Sequence, residues 1–455
     1  MSKSPKSSSK SVSSIYIVLS IFAIILMAMA MGATAISITK VSNPSPVSAS
    51  TNKSVSQNFL VVIMDDVGTD MIGAYHEWSS PANTPTINQL AAEGVLFRNV
   101  YSNPLCTPTR AGVQTGRYAF HTGVGGNINF DNNGYTLYPS ELILPEMLKL
   151  GTNGKYSTAL FGKWHLANQV NGGEFSPNVM GYDYYAGHLS NLSSAPGDNY
   201  FKWDKTVNGV TSQKTGYITT DTVDDAIAWT SQQSTPWLAV VAFQAPHAPY
   251  HVPPANLHTV PSPNTSALKY KAMLEALDTE LGRLLLALRQ SGQYANTTII
   301  VMGDNGTPTP ASSNPLHSKG TVYEGGINVP FIVKSPLVRV PGESAAFVQT
   351  LDIFSTIAEI AGVNVGPITP PGVKIDSISF VSYLKNPSSS SIRPYGFSEL
   401  FGPIGAGHGS VTPPPVVSQS LKAMRDVRYK LIADYVNQTE EFYDLLVDPL
   451  ESQNL

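Results

Sequence analysis

Charged and amide side chains follow apolar runs at four places in this sequence. These side chains are Asp65 and Asp66, Lys163 and His165, His247, and Asp304 and Asn305. Carboxylate and amide oxygens are the ligands that hard cations prefer, and histidine and lysine can move protons or hold anions beside them. Alone, Asp65-Asp66 would suit a turn or a helix cap equally well. The second pair, the acid Asp304 and the amide Asn305, favours a metal site shared by both pairs.

The apolar runs themselves predict the elements that position these side chains. They cover residues 59–64, 158–161, 237–243 and 298–302, and each is continuous rather than alternating. Continuous runs are typical of strands buried on both faces of a largely parallel sheet. Sites in such sheets form beyond the carboxyl ends of the strands. We therefore expect an α/β fold with a mostly parallel central sheet flanked by helices.

Helical spacing appears in two segments, 271–290 and 348–361, and Gly362 is expected to end the second helix. Beyond it the chain is rich in Pro, Gly and Ser, and short strands are expected at 423–434 and 442–446. The predicted organisation is a catalytic domain over 58–365 and a smaller C-terminal domain with a short antiparallel sheet over 366–455.

Composition excludes several classes of function. The 455 residues carry a net charge of −4, with 28 Lys and Arg against 32 Asp and Glu. This balance gives no support for nucleic-acid binding, which needs a concentrated basic surface. A single cysteine excludes an internal disulfide framework and any cysteine-cluster metal site.

Residues 1–57 read as a secretory signal or a membrane anchor followed by a Ser/Pro linker. The uncharged run 15–36 follows a basic start, and Ala33-Thr34-Ala35 is a cleavage candidate. The run is also long enough to span a bilayer uncleaved. Either alternative places the catalytic domain outside the cytosol, as a secreted, lysosomal or membrane-anchored glycoprotein. Glycosylation sequons occur at Asn52, Asn191, Asn264, Asn296, Asn305 and Asn437; Asn305 is expected to be unmodified because a metal ligand must be buried.

The single cysteine begins a recognisable motif. Cys106-Thr-Pro-Thr-Arg110 is followed by Thr115-Gly-Arg117, and this pattern resembles the signature of the sulfatase family. Other motifs of that family follow in order: Asp65-Asp66, Gly162-Lys-Trp-His165, Pro246-His-Ala-Pro249, Asp304-Asn-Gly306, and Lys319 with Glu324-Gly-Gly326. The resemblance runs from Asn58 to the chain end and is greatest to the arylsulfatase B, or N-acetylgalactosamine-4-sulfatase, branch. It implies an alkaline-phosphatase-like fold and hydrolysis of aryl or carbohydrate sulfates.

The resemblance also implies a modified nucleophile and a metal. Cys106 would be converted to formylglycine (3-oxoalanine) by a formylglycine-generating enzyme. One calcium ion (Ca²⁺) would be bound by Asp65, Asp66, Asp304, Asn305 and an oxygen of residue 106. An oxygen shell of this kind suits calcium better than magnesium.

The resemblance assigns the remaining roles. Arg110, helped by Lys163, would hold the formylglycine hydroxyl. His165 would act as the base that expels sulfate. His247 and Lys319 would bind the ester oxygens and protonate the leaving alcohol.

Alternatives remain open at this point. Related enzymes of the same superfamily hydrolyse phosphodiesters or phosphonate monoesters with nearly the same groups. From another class, an inactive binder of sulfated glycans would keep the fold without turnover. An isolated cysteine is usually an inert buried thiol, and an isolated histidine is usually structural.

Several residues near the motifs have open roles. His121, His251 and His317 either line the substrate pocket or are surface histidines. Glu324 is expected to orient a loop. Core packing is the favoured role for three tyrosines, Tyr182, Tyr184 and Tyr185.

Overall fold

The structure is a computed structural model that describes residues 57–128, 130, 136–402 and 420–455. The strands are β1 (Asn58–Met64), β2 (Val95–Tyr101), β3 (Ser157–Lys163), β4 (Tyr184–His188), β5 (Lys202–Val207), β6 (Val210–Thr215), β7 (Trp237–Ala242), β8 (Thr297–Gly303), β9 (Phe331–Lys334), β10 (Gly342–Gln349), β11 (Gly396–Phe401), β12 (Ser420–Arg425), β13 (Tyr429–Asp434) and β14 (Thr439–Asp444). The α-helices are α1 (Pro85–Glu93), α2 (Cys106–Thr115), α3 (Ala119–Thr122), α4 (Leu144–Gly151), α5 (Ser176–Val179), α6 (Ile218–Thr230), α7 (Ser266–Gln290), α8 (Glu324–Ile327), α9 (Ile353–Ala361) and α10 (Val381–Lys385).

A large mixed sheet forms the centre of the molecule. Within the described residues its ten strands run in the order β10-β2-β9-β8-β1-β7-β3-β4-β5-β6. The four strands expected from the apolar runs, β8, β1, β7 and β3, are neighbours, and each pair is parallel. Their carboxyl ends therefore lie along one edge of the sheet, as the sequence predicts. Antiparallel pairing occurs at β9 and in the β4-β5-β6 segment.

Both faces of the central strands of this sheet are buried, which explains the unbroken apolar runs. In β1, Phe59, Val61 and Ile63 pack into the core on one face. Leu60 and Val62 pack into a second core on the other face, together with α7 residues such as Leu277. Helices thus cover the sheet on both sides, and the predicted α/β class is confirmed.

The C-terminal strands form a separate antiparallel sheet in the order β11-β12-β13-β14. The expectation of one strand over 423–434 is wrong, because this segment is a hairpin of β12 and β13. The Asp426 carboxylate accepts hydrogen bonds from the backbone N–H groups of Arg428 and Tyr429 and so fixes the turn. The next strand covers Thr439–Asp444 rather than 442–446. The domain boundary at 365/366 stays a prediction.

The second predicted helix begins later than the sequence indicates. Val348 and Gln349 end strand β10, and α9 starts only at Ile353. A carboxylate oxygen of Asp352 accepts the backbone N–H of Gln349, which caps the turn between strand and helix. Gly362 ends α9 in the left-handed region with φ 74°, as expected.

No helix within the described residues is both long enough and apolar enough to cross a bilayer. The predicted signal or anchor at 15–36 and the linker that follows it lie outside the described residues.

Glu324 joins the small sheet to the large one. It lies at the start of α8, and its carboxylate accepts hydrogen bonds from Tyr101 of β2, Arg425 of β12 and Lys430 of β13. Lys430 is completely buried and also pairs with Glu451 at 2.6 Å. Burial alone would raise the pKa of Glu324, but Lys430 and Arg425 outweigh it and lower that pKa to about 2. Glu324 therefore orients a loop through buried ion pairs, as the sequence suggests.

Replacing Glu324 with alanine should lower the free energy of unfolding by about 3–5 kcal/mol, because it leaves Arg425 without its carboxylate and Lys430 with only one of its two. Urea denaturation of the purified protein measures this loss. Glu440, an exposed acid on β14, supplies the control, since Glu440→Ala should change stability by less than about 0.5 kcal/mol. A loss below about 1 kcal/mol for Glu324→Ala would show that the buried pairs are not needed for stability.

Candidate active site

Two acidic loops lie side by side at the carboxyl edge of the sheet. Asp65 and Asp66 follow β1, while Asp304 and Asn305 follow its parallel neighbour β8. All four side chains are buried. The backbone N–H of Asp66 donates to Oδ1 of Asp304 at 3.0 Å, and Asp66 takes the left-handed conformation with φ 71° that aspartate tolerates. The two predicted pairs of ligands therefore belong to one cluster.

Cys106 is the first residue of α2 and lies above this cluster. Its Sγ is 3.3 Å from Oδ1 of Asp65 and 3.8 Å from Oδ1 of Asp66. Burial raises the pKa of the thiol well above its usual value, and the nearby carboxylates of Asp304 and Asp65 raise it further. The thiol is completely buried, so it contacts the cluster rather than solvent.

Three cations neutralise the acids of the cluster. Arg110, one helical turn after Cys106, donates from Nε and Nη2 to Oδ2 of Asp304 at 3.0 and 2.8 Å. Lys163, the last residue of β3, lies 2.5 Å from Oδ2 of Asp65. Lys319 lies 2.5 Å from Oδ1 of Asp66 and 3.8 Å from Sγ of Cys106. Each carboxylate therefore has its own cation.

The cations determine the charge state of Asp65. Burial would raise its pKa, but Lys163, followed by His247 and Arg110, outweighs burial and holds that pKa far below the usual value. Arg110 also lies 3.8 Å from Oδ2 of Asp65 through the same Nη2 atom that contacts Asp304. These contacts hold the two carboxylates in one crevice.

Two histidines border the cluster. His165 follows β3 in the left-handed region with φ 59° and is buried, and its Nδ1 has no hydrogen-bond partner among the described residues. Burial lowers its pKa well below the usual value, and Lys163 lowers it further. His247 lies on the loop after β7, with Nδ1 2.6 Å from the carbonyl of Ala248 and Nε2 3.9 Å from Oδ2 of Asp66. Burial also lowers the pKa of His247.

The carboxylate and amide oxygens of the cluster fit a hard cation. Ligating atoms of Asp65, Asp66, Cys106 and His247 all lie within 4.8 Å of one another. Asn305 adds an amide whose Nδ2 donates to Oδ1 of Asp66 at 2.9 Å, while its buried Oδ1 has no partner among the described residues. An unpaired buried acceptor is costly unless something binds it. A cation held by carboxylate oxygens and this amide oxygen would satisfy it. The burial of Asn305 also closes its glycosylation sequon to a glycan.

Hydroxyl groups outside the predicted motifs hold the site loops in place. Tyr270 of α7 donates to the carbonyl of Asp66 at 2.6 Å. The hydroxyl oxygen of Tyr200 lies 2.7 Å from the carbonyl oxygens of both Gln244 and His247, so its single hydrogen can be donated to either. The sequence did not single out these two tyrosines, because an aromatic residue in an apolar helix or loop looks like ordinary core.

Other histidines and tyrosines near the motifs make structural contacts. Nδ1 of His121 lies 2.6 Å from a carboxylate oxygen of Asp376. His317 stacks on Tyr323, and His251 packs against a group of aromatic rings. Of the three tyrosines expected in the core, Tyr182 and Tyr185 are buried and Tyr184 is half-buried.

The mixed sheet, with a cluster at its carboxyl edge that could hold a metal ion, fits the alkaline-phosphatase-like superfamily. The chain belongs to the sulfatase family, whose model, described as Sulfatase, matches residues 57–363. The family expected from the motifs is thereby confirmed. The resemblance to the arylsulfatase B branch is finer and stays a prediction.

Sequence and structural relatives agree with this assignment. The chain is 34% identical to arylsulfatase J of Mus musculus over 67% of its own length and 53% of that protein. It is 30% identical to N-acetylgalactosamine-6-sulfatase of Sus scrofa over 68% of its length and 62% of that protein. The matches therefore span little more than half of these relatives. The solved structure of Ps i-CgsB in complex with k-i-k-neocarrahexaose shares the fold with a TM-score of 0.71 at 24% identity, covering 88% of each chain.

Proposed function

We propose that this protein hydrolyses sulfate esters to an alcohol and inorganic sulfate. The observation that carries the proposal is the position of Cys106 between the carboxylates of Asp65 and Asp66, with Lys319 at 3.8 Å from its sulfur. Preorganised cations around a buried nucleophile position suit an ester whose transition state spreads negative charge over oxygen. The substrates would be aryl or carbohydrate sulfates.

The proposal includes two groups that complete the site. Asp65, Asp66, Asp304, Asn305 and residue 106 would hold calcium, which supplies positive charge for the sulfate oxygens and the nucleophile. Conversion of Cys106 to formylglycine by a maturation enzyme would supply, as the hydrate, one hydroxyl for attack on sulfur and another for release of sulfate.

Side chains of the protein would orient the reacting groups and transfer the protons. Arg110 and Lys163 orient the carboxylates of Asp304 and Asp65 through the contacts described above and would also hold the formylglycine hydroxyl. His165 accepts the proton at release, since its Nδ1 is unpartnered and low basicity keeps the ring neutral. His247 and Lys319 hold the ester oxygens and give a proton to the leaving alcohol. We further propose a location in the secretory pathway, with the catalytic domain outside the cytosol.

The rate comparison that tests this function uses three esters of one phenol. The value of kcat/KM for 4-nitrophenyl sulfate should exceed those for 4-nitrophenyl phosphate and bis(4-nitrophenyl) phosphate by at least about tenfold. The sulfate ester is a monoanion and the phosphate monoester is nearly dianionic. Three cations and a dication (+5) exceed three carboxylates (−3) by two charges, so the expected preference for sulfate rests on the sulfatase motifs and not on net charge. The phosphodiester is also a monoanion and is therefore the decisive comparison. Faster cleavage of the phosphodiester, by about tenfold, would replace the proposed function with phosphodiester hydrolysis.

A further inference from the structure

A cavity of about 690 Å³ lies beside the catalytic cluster, within the size range of sites for small molecules. His165 forms part of its wall, as does Asn127, whose Oδ1 accepts the backbone N–H of Thr107 next to Cys106. The cavity therefore adjoins the place where the ester would be cleaved. We call it the acidic pocket, because the carboxylates of Glu174, Asp198 and Asp204 line it.

Three carboxylates line the acidic pocket, those of Glu174, Asp198 and Asp204, and its described lining contains neither lysine nor arginine. Nε2 of His188 lies 3.2 Å from Oδ1 of Asp198. Hydrogen bonding from His188 lowers the pKa of Asp198, so this carboxylate stays charged at neutral pH. The pocket is thus negative, whereas the catalytic cluster carries the cations.

The pocket also offers an unpaired acceptor. Asn191 lies in its wall, and the buried Oδ1 of this residue has no hydrogen-bond partner among the described residues. Carboxylates accept hydrogen bonds but cannot donate them when ionised. The polar wall therefore suits a ligand rich in donors, such as hydroxyl or ammonium groups.

The loop over residues 189–201, which forms this wall, is hydrogen-bonded to the loop that carries His247. The carbonyl of Ser190 accepts a hydrogen bond from Nε2 of Gln244 at 2.8 Å. The hydroxyl oxygen of Tyr200, at the end of the same loop, lies 2.7 Å from the carbonyl oxygen of His247. Because His247 is the proposed proton donor to the alcohol, the alcohol part of the substrate would lie next to the acidic pocket.

We propose that the acidic pocket binds the alcohol part of the substrate and selects a neutral or amino-bearing alcohol, such as a sugar with a single sulfate, over one that carries a second anion. This inference rests on the proposed sulfatase function. Carboxylates repel a carboxylate or sulfate placed near them and attract an ammonium group. The cations needed to offset a second anion are at the catalytic cluster, where the scissile sulfate uses them.

The test uses three aryl sulfates that differ only in the charge of a side arm: the sulfate esters of tyramine, 4-hydroxyphenylacetamide and 4-hydroxyphenylacetic acid. Their arms are cationic, neutral and anionic, while the leaving phenols have similar basicity. We expect kcat/KM to fall in that order, with a spread of about tenfold or more at low salt. In ~0.5 M NaCl the spread should shrink, because salt screens the carboxylates.

Neutralising two of the three carboxylates of the acidic pocket should weaken the preference. The double variant Glu174→Gln/Asp204→Asn should reduce the spread at least about threefold, and each single change should reduce it in part. Both side chains are exposed, so the fold should tolerate the changes. Glu440→Gln, which neutralises an exposed acid on β14 outside the pocket, should keep the spread of the unaltered protein.

The outcomes separate the two proposals. Hydrolysis of all three esters at equal kcat/KM, or an unchanged spread in the double variant, would overturn the role of the acidic pocket and leave the sulfatase function standing. Failure to hydrolyse any of the three would overturn the sulfatase function, and the selectivity inference with it.

Discussion

Cys106→Ala should fold normally and lose aryl sulfatase activity by a factor on the order of 10⁴ to 10⁶, the loss expected when a nucleophile is removed. The stability should change by less than about 1.5 kcal/mol, since only one buried sulfur atom is lost. Steady-state kinetics and urea denaturation measure the two effects separately. Retention of activity within about tenfold would mean that the bound metal and water suffice, and that residue 106 is not the nucleophile.

Mass spectrometry of the active protein provides the companion measurement. The tryptic peptide that runs from Asn99 to Arg110 should be lighter than its cysteine form and should react with carbonyl reagents. The peptide from Cys106→Ala is the matched control, because it cannot form an aldehyde. A wholly unmodified Cys106 in fully active protein would contradict the formylglycine proposal.

If calcium occupies the proposed site, Asn305→Leu should abolish the stabilisation expected from calcium and reduce turnover by at least about 100-fold. The substitution keeps the side-chain size but removes the unpaired Oδ1. Saturating calcium at about 100 times its Kd should stabilise the unaltered protein by about 2.7 kcal/mol, which appears as a rise in Tm. Thermal melts with calcium and with a chelator measure this rise independently of activity.

A conservative variant supplies the control for this experiment. Asn305→Asp keeps an oxygen ligand and adds a buried charge, so calcium should raise its Tm at least as much as that of the unaltered protein. Asp304→Ala is less informative, because it would leave the buried guanidinium of Arg110 without its carboxylate. An undiminished calcium response in Asn305→Leu would remove this residue from the metal site.

The sequence predicted the parts of the fold that are buried on both faces. The runs that became β1, β3, β7 and β8 are apolar throughout because helices cover both sides of the sheet. Because these strands are parallel, their carboxyl ends lie at the same edge of the sheet. The apolar runs therefore also predicted that Asp65 and Asp304 lie close together. The motif residues Cys106 and Arg110 lie at the same place.

Other features depend on contacts that the sequence does not display. Val348 and Gln349 could end strand β10 or begin a helix, and their residue types do not distinguish the two. The hydrogen bond from the backbone N–H of Gln349 to Asp352 favours the strand end. The position of β9, antiparallel between β2 and β8, depends on long-range pairing. Tyr270 reaches the site only because α7 packs behind the loop that follows β1.

The pairing of β1 with β8 has a consequence for the timing of events during chain synthesis. Asn58 pairs with Thr297. The pairing of β1 with β8 can therefore form only after about 240 further residues have been synthesised, which takes roughly 12 to 48 seconds at ordinary elongation rates. Asp304 and Lys319 arrive only at the end of that interval. Cys106, completely enclosed in the finished molecule, is open to another enzyme while those residues are still unmade. Conversion of its thiol would therefore have to precede closure, and mutations that speed or slow the late strands would change the fraction of chains that mature.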